Sequence, residues 1–485
     1  MGRDVPAMVF TGEDRRRFRD KIRRSLDVFA QMLHESRFEL RRPRAGLEIE
    51  LNLVDDRGEP TMKSDEVLAA IAEPDWGPEL GRFNVEMNIQ PQGLYRDGSL
   101  RLEESIRDRL NRAEERAATV GGHLVLVGIL PTLRESDVEV SSLSKNARYR
   151  LLNEQILAAR GEDLHIEIEG VERLDTYAGS VTPEAACTSL QFHLEVGPSE
   201  FAAHWNAAQA IAGPQVAIAA NSPFLFGKEL WRETRIRLFE QSTDTRPEEL
   251  KAQGVRPRVW FGERWITSAF DLFEENVRYF PALLPICDQE DPREVLESGG
   301  IPEMGELTLH NGTIYRWNRP VYAVVDGMPH LRVENRVLPA GPSVADITAN
   351  AAFYYGLLRM LAAAERPVWT RMSFAVAEEN LLNAARYGLD AHLYWPDLGE
   401  VPAVELVCRR LLPLADQGLE LSGVGAPYRD RLLGIIEQRC LTARNGATWQ
   451  VDTARALGGD HEALRRMTLR YIEYMHTNEP VHLWD

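Results

Sequence analysis

Glutamate, histidine, asparagine and arginine recur at every second position in four short stretches of this sequence. Residues 46–54 read GLEIELNLV, in which Glu48, Glu50 and Asn52 alternate with Leu47, Ile49, Leu51 and Leu53. Residues 83–91, FNVEMNIQP, set Asn84, Glu86 and Asn88 between Phe83, Val85, Met87 and Ile89. In LQFHLEV (190–196) the polar set is Gln191, His193 and Glu195, and in HLRVENRVL (330–338) it is Arg332, Glu334 and Arg336. A strand has period two, so each stretch presents an apolar face and a polar one, with same-face side chains about 7 Å apart. A solvated antiparallel sheet also alternates. Its outer face, however, commonly carries Lys, Ser and Thr, and these four polar faces carry none. Glutamate with histidine, amide and guanidinium is the donor set for hard divalent cations and the phosphates they neutralise. If the strands are neighbours, five carboxylates crowd one surface, and such crowding is tolerated when cations sit between them.

The remaining chain supplies the elements that would position those groups. Residues 11–36 read as an amphipathic helix, with Thr11 and Asp14 at capping-box spacing and Phe18, Ile22, Leu26, Phe29 and Leu33 on one face. HLVLVGIL (123–130) reads as a buried strand, and residues 99–120 as a charged helix. WNAAQAIAGPQVAIAA (205–220) reads as a buried helix kinked at Gly213-Pro214, and ELWRETRIRLFE (229–240) as a helix. ELTLHNGTIYRW (306–317) carries a hairpin signal around Asn311-Gly312. From Ser343 onward the pattern is helical, with turns at Pro and Gly. The expected architecture is α+β: a catalytic body over 1–342 with an N-terminal helix, and an all-helical C-terminal lobe over 343–485 packed on it.

Bulk composition narrows the class. With 485 residues, 44% apolar and 27% charged, the chain is ordinary for a globular protein. A formal net charge of −18 speaks against general nucleic-acid binding, so an anionic ligand would need local arginines or bound metal. Cys187, Cys287, Cys408 and Cys440 form no CxxC pair, which fits reduced thiols. The longest apolar run, 344–365, is broken by Asp346, Asn350 and Arg359, so a buried helix is expected and a membrane span is not. A cytoplasmic protein is expected, with no signal-peptide pattern. NSPFLFGKEL lacks the first glycine and the Ser or Thr of a P-loop. No Ser or Cys nucleophile constellation stands out.

The ordered set GLEIE, FNVEMN, LQFHLEV, NSPFLFGKELWRETRIRLF, NGTIYRWNRP and HLRVENR resembles the glutamate–cysteine ligase family of bacterial and plant-like carboxylate–amine ligases. That resemblance implies a glutamine synthetase-like fold, an antiparallel sheet whose concave face holds ATP, Mg2+ or Mn2+ and substrate. It implies metal ligation by Glu48, Glu50, Glu86 and Glu334, with His193 near a nucleotide-side metal and Glu195 a variable member. Arg332 and Arg336 would meet phosphate or substrate carboxylate, and with Glu86 they form the expected catalytic set. Arg235 and Arg237 match an Arg-x-Arg segment near substrate; Asn52, Asn88 and Arg316 are further binding candidates. The implied reaction is ATP-dependent joining of the γ-carboxyl of glutamate to an amine such as cysteine through an acyl phosphate. A phosphotransferase acting on a guanidino compound, or a non-catalytic nucleotide- or metal-binding regulator, are the other readings. Partners are small molecules, with a homo-oligomer open. The C-terminal lobe carries no motif tied to a substrate.

Overall fold

The four alternating stretches are strands of one sheet in the computed structural model, which describes residues 9–38, 43–93 and 98–485. Its seven strands, numbered in chain order, are β1 (Arg44–Val54), β2 (Trp76–Pro78), β3 (Asn84–Gly93), β4 (His123–Val125), β5 (Ser189–Glu195), β6 (Asn318–Val325) and β7 (Met328–Pro339). They run antiparallel in the order β6-β7-β5-β1-β3-β2, with β4 also paired to β1. The strands that carry the polar sets are therefore adjacent. Register places Glu50 opposite Glu86, Glu48 opposite both Asn88 and Gln191, and Glu334 opposite His193.

Leu47, Ile49, Leu51 and Leu53 are buried on the other face, as are Val85, Met87, Phe192, Leu194 and Val333. Each such side chain contributes up to about 1.5–3 kcal/mol. A one-residue slip would turn that face to the wrong side, so the same burial fixes which carboxylates meet.

The helices that bear on the site are α1 (Gly12–His34), α2 (Gly98–Ala118), α3 (Pro198–Ala219), α4 (Thr234–Ser242), α5 (Gly305–Asn311), α6 (Val344–Ala362), α7 (Leu412–Leu421) and α8 (Ala426–Leu441). The α1 capping box forms as expected: Thr11 Oγ1 accepts the Asp14 N–H at 3.2 Å, and Asp14 Oδ2 accepts the Thr11 N–H at 2.8 Å. α3 continues through Gly213-Pro214. α6 backs the sheet: Tyr354 stacks on Phe192 of β5 with ring centroids 5.6 Å apart. The Tyr355 hydroxyl donates to the carbonyls of His193 (3.3 Å) and Gly46 (3.5 Å). α7 crosses α6 backbone to backbone, because a Cβ at Gly356 would lie 2.3 Å from the Ala415 oxygen and one at Gly418 would lie 2.0 Å from the Gly356 oxygen. One hydrophobic core includes residues on both sides of position 342.

Four expectations change. Asn311-Gly312 is not a hairpin turn but the end of α5, on which Leu307, His310 and Asn311 are buried along one side. Tertiary anchors decide this: Glu290 accepts the N–H groups of Glu303 and Met304 just ahead of the helix, and Asn311 Nδ2 donates to the Pro320 oxygen. The hairpin forms instead between β6 and β7 at Asp326-Gly327, whose φ angles of +51° and +73° suit a tight turn. Only 123–125 of the 123–130 run pair as a strand, since β1 ends at Val54; Leu126–Leu130 are buried as irregular chain. The 229–240 helix starts at Thr234, after a two-residue ribbon at Lys228–Glu229. The C-terminal stretch is not wholly helical: His392–Trp395 and Gly399–Pro402 pair as a hairpin.

Candidate metal and anion site

Glu50, on β1, and its cross-strand neighbour Glu86, on β3, are joined by Glu79, one residue past β2. One carboxylate oxygen from each lies within 4.8 Å of the others. Glu50 is pinned from below, its Oε2 accepting the Ser189 N–H at 2.6 Å and its Oε1 the Gln191 amide at 2.7 Å. Asn88 Nδ2 donates to Glu86 Oε1 at 2.7 Å. Among the described residues, no arginine or lysine makes an ion pair with any of the three.

The electrostatic result is protonation well above the usual carboxylate range. Burial, then repulsion from Glu48 and Glu50, pushes Glu86 up to about 7. Burial and the charges of Glu50 and Glu86 push Glu79 well up, and burial raises Glu50 against the pull of Arg336. Glu184, in the turn Thr182–Ala186, is pushed to about 8 by burial and Glu50. Three oxygen-only donors with no ion-paired protein cation among the described residues form a set that a hard divalent ion fits.

The other half of the site is neutralised by the chain itself. Glu334 meets Arg319 at 2.7 Å and Arg336 at 2.8 Å. Burial alone would raise its carboxyl, but these two guanidinium groups hold it far below the usual range. Burial likewise opposes ionisation of Glu48, while a charged His193 imidazole beside it would pull the carboxyl down. His193 Nε2 is 3.2 Å from Glu48 Oε1, although out of hydrogen-bond alignment. Arg332 Nε donates to His193 Nδ1 at 3.0 Å, and its Nη1 lies 3.2 Å from His330 Nε2. Because guanidinium only donates, His193 Nδ1 must be the acceptor and Nε2 carries the proton. In this arrangement the imidazole has no lone pair left for a cation. Glu195 Oε2 accepts Arg44 Nε at 3.0 Å. Glu48, His193, Glu195, His330 and Arg332 line an open cleft of about 280 Å³.

Arg336 stands between the halves. Its Nη1 donates to Glu334 and to Gln191 Oε1 at 3.1 Å, and its charge acts on Glu50 and Glu184. Its Nε and Nη2 have no hydrogen-bond partner among the described residues, which leaves a fork for an incoming oxyanion.

Three expected binding residues are placed elsewhere, and a fourth, Asn52, stays on the site's face of β1 with its amide engaged internally. Arg235 is buried, paired with Glu233 at 2.9 Å, and donates to the carbonyls of Arg336 (3.5 Å) and Val337 (2.5 Å), so it buttresses β7 from behind. Arg316 is buried against Glu275 (3.0 Å), Asn276 and the Trp260 ring. Asn52 spends its amide on Val127 O, Thr188 Oγ1 and Asn84. Arg237 pairs with Glu240 at 3.2 Å on α4. Arg235→Met should therefore destabilise the fold by about 3–5 kcal/mol, the cost of stranding buried Glu233. Urea unfolding measures this. A variant as stable as the parent but with weakened substrate binding would place Arg235 in the site instead.

Glu79, Glu184 and Arg319 join the site without having been singled out from the sequence. Arg319 lies on β6 directly opposite Glu334, one strand beyond the four compared. Tyr149 also faces the acidic group, its hydroxyl pushed well above its ordinary range by burial and by Glu79 and Glu86.

The raised carboxyls give a pH prediction. Their folded pKa values exceed the unfolded value near 4.5, so the folded state binds more protons between about pH 4.5 and 8 and stability falls as pH rises through that window. A cation bound by the trio removes the repulsion. Millimolar Mg2+ should therefore raise the melting temperature of ligand-free protein more at pH 8 than at pH 5.5, with reversal by chelator. An equal shift at both pH values would count against cation binding at these residues.

Comparison with known proteins agrees with this architecture. The family model described as "Glutamate-cysteine ligase family 2(GCS2)" matches residues 44–468. Among solved structures, the chain is similar to a glutamate–cysteine ligase from Francisella tularensis in complex with AMP, with TM-score 0.57, 12% identity, and 91% of this chain and 90% of that one covered. It is also similar to a bifunctional glutathione synthetase from Pasteurella multocida, with TM-score 0.52, 11% identity and 93% of this chain covered; the match spans 55% of that longer chain. No curated protein sequence matches.

Proposed function

Because this chain belongs to glutamate-cysteine ligase family 2, we propose that it is an ATP-dependent carboxylate–amine ligase that phosphorylates the γ-carboxyl of glutamate and passes the acyl group to an amine such as cysteine. The observation that carries this reading is the Glu50–Glu79–Glu86 cluster, with Glu50 buried, the other two half-buried, and none of the three ion-paired among the described residues. Glu50, Glu79 and Glu86 would hold Mg2+ or Mn2+, which supplies positive charge to the triphosphate so that a carboxylate anion can approach it.

The chain's own residues account for the rest. Arg336 offers its free Nε and Nη2 to an oxygen of the substrate carboxylate or of the transferring phosphoryl group. Glu334 and Gln191 fix that guanidinium in place through the other nitrogen. Arg332, clamped between two imidazole acceptors, lines the cleft with its Nη2 unengaged among the described residues. A carboxylate resists amine attack because oxide is the leaving group. Phosphorylation converts that oxygen into a phosphate, which the amine displaces, so no protein nucleophile is required.

Oxygen labelling tests the route. With glutamate labelled at the γ-carboxyl, released phosphate should carry one labelled oxygen, and ADP should form in step with an amide product. Unlabelled phosphate beside an amide would reject the acyl phosphate. ADP formed without inorganic phosphate would point to phosphotransfer, and no turnover of glutamate with a panel of amines would remove glutamate as the acid.

A further inference from the structure

Behind the sheet, on its apolar side, β5, α3, α6, α7 and α8 enclose a cavity of about 150 Å³. Leu194, Ala352, Tyr355, Leu419, Tyr428 and Leu432 line its body, and all six are buried. A dry apolar space of about this volume accepts a benzene ring. Three acid, base or imidazole groups at its rim make no ion pair among the described residues. Arg359, in the last turn of α6, is exposed and makes no ion pair among the described residues. The Glu200 carboxylate, near the start of α3, is likewise exposed and makes no ion pair among them. His204 donates from Nδ1 to the Glu200 carbonyl at 2.9 Å, so its Nε2 is left as an acceptor. Burial, with the weaker push of the Arg359 charge, lowers the proton affinity of that imidazole against the opposing pull of the Glu200 carbonyl and carboxylate. The other rim charges among the described residues are engaged, Arg429 by Asp416 at 2.7 Å and Glu195 by Arg44.

An apolar body that has, among the described residues, an available cation, an available carboxylate and a neutral acceptor is complementary to a zwitterion with a large apolar side chain. We propose that this cavity binds a free α-amino acid bearing an aromatic or branched aliphatic side chain, its carboxylate on Arg359 and its ammonium on Glu200 and His204. The site is separate from the acidic cluster and lies across the sheet from it. The two share a wall: Glu195 borders both spaces, and Tyr355 of the cavity holds the backbone of β1 and β5 at Gly46 and His193. An occupant pressing on Tyr355 therefore touches the strands that carry Glu48 and His193.

The test is calorimetric titration of the full chain with L-phenylalanine, with and without saturating ATP and Mg2+. Saturable binding in the low-millimolar range or tighter is expected, without competition from ATP. 3-Phenylpropionate, which lacks the ammonium, and phenethylamine, which lacks the carboxylate, should each bind at least tenfold more weakly. Arg359→Gln should weaken phenylalanine at least tenfold and leave phenethylamine unchanged; the residue is exposed, so the variant keeps its fold. Ala352→Leu, which fills the cavity, should abolish binding of all three. No saturable binding would overturn the proposal. So would displacement of phenylalanine by ATP, or equal affinity for the amino acid and its two truncated forms. Phenylalanine affinity unchanged in both variants would place the ligand elsewhere.

Discussion

Glu86→Gln is expected to lower kcat/KM at least about 100-fold, the scale seen when one preorganised electrostatic group is removed, or about 2.7 kcal/mol of transition-state stabilisation. The same substitution should raise the melting temperature of the ligand-free protein at pH 8. The two effects have one cause. Glu86 is buried beside Glu48, Glu50 and Glu79, so its charge costs the empty fold and serves only a bound cation. The replacing amide keeps the volume, and its oxygen can still accept from Asn88 two residues along the same strand. A structural glutamate would give the reverse pattern, with lost stability and retained turnover. Activity within about threefold of the parent, well under 1.4 kcal/mol, would remove Glu86 from the metal site.

Arg336→Lys should also lower kcat/KM by about 100-fold. Lysine keeps the charge that balances Glu334, but an ammonium cannot hold Gln191 and Glu334 with one arm and present a planar pair of N–H groups with the other. The expected loss therefore falls on the bidentate contact to substrate, while Glu334 keeps a second guanidinium in Arg319 and stays ionised. Steady-state kinetics with ATP and the carboxylate substrate varied in turn measures it. If both apparent affinities and kcat are unchanged in a folded variant, Arg336 only braces Glu334.

What can be read from the sequence follows from where a side chain's direction is set locally. Glu48, Glu50, Glu86, His193, Arg332, Glu334 and Arg336 sit on long strands, where period two fixes the face, and all of them project to one side of one sheet. Glu79 lies just past a three-residue strand and Glu184 in a short turn, so neither belongs to a periodic run. Only the tertiary path brings them to Glu50. Arg235 and Arg316 mark the complementary limit. Residue type does not tell whether a guanidinium ends on substrate or on a buried acid, here Glu233 and Glu275. The Asn311-Gly312 turn signal yields to Glu290, whose carboxylate accepts the N–H groups just ahead of α5 from a separate loop. Fold class survives such errors because it rests on the strands; ligand lists do not.

The crossing of α6 and α7 at Gly356 and Gly418 carries a consequence for inheritance. Each position tolerates no side chain because the partner backbone already fills the space, so enlarging one cannot be relieved by shrinking the other. The two positions are thus constrained together without a compensating pair. Tyr355, next to Gly356, stands under the His193 carbonyl. A Gly356→Ala allele would push α6 away from α7 and toward the sheet, and would be scored in a screen as a catalytic lesion although it lies a full layer from any substrate.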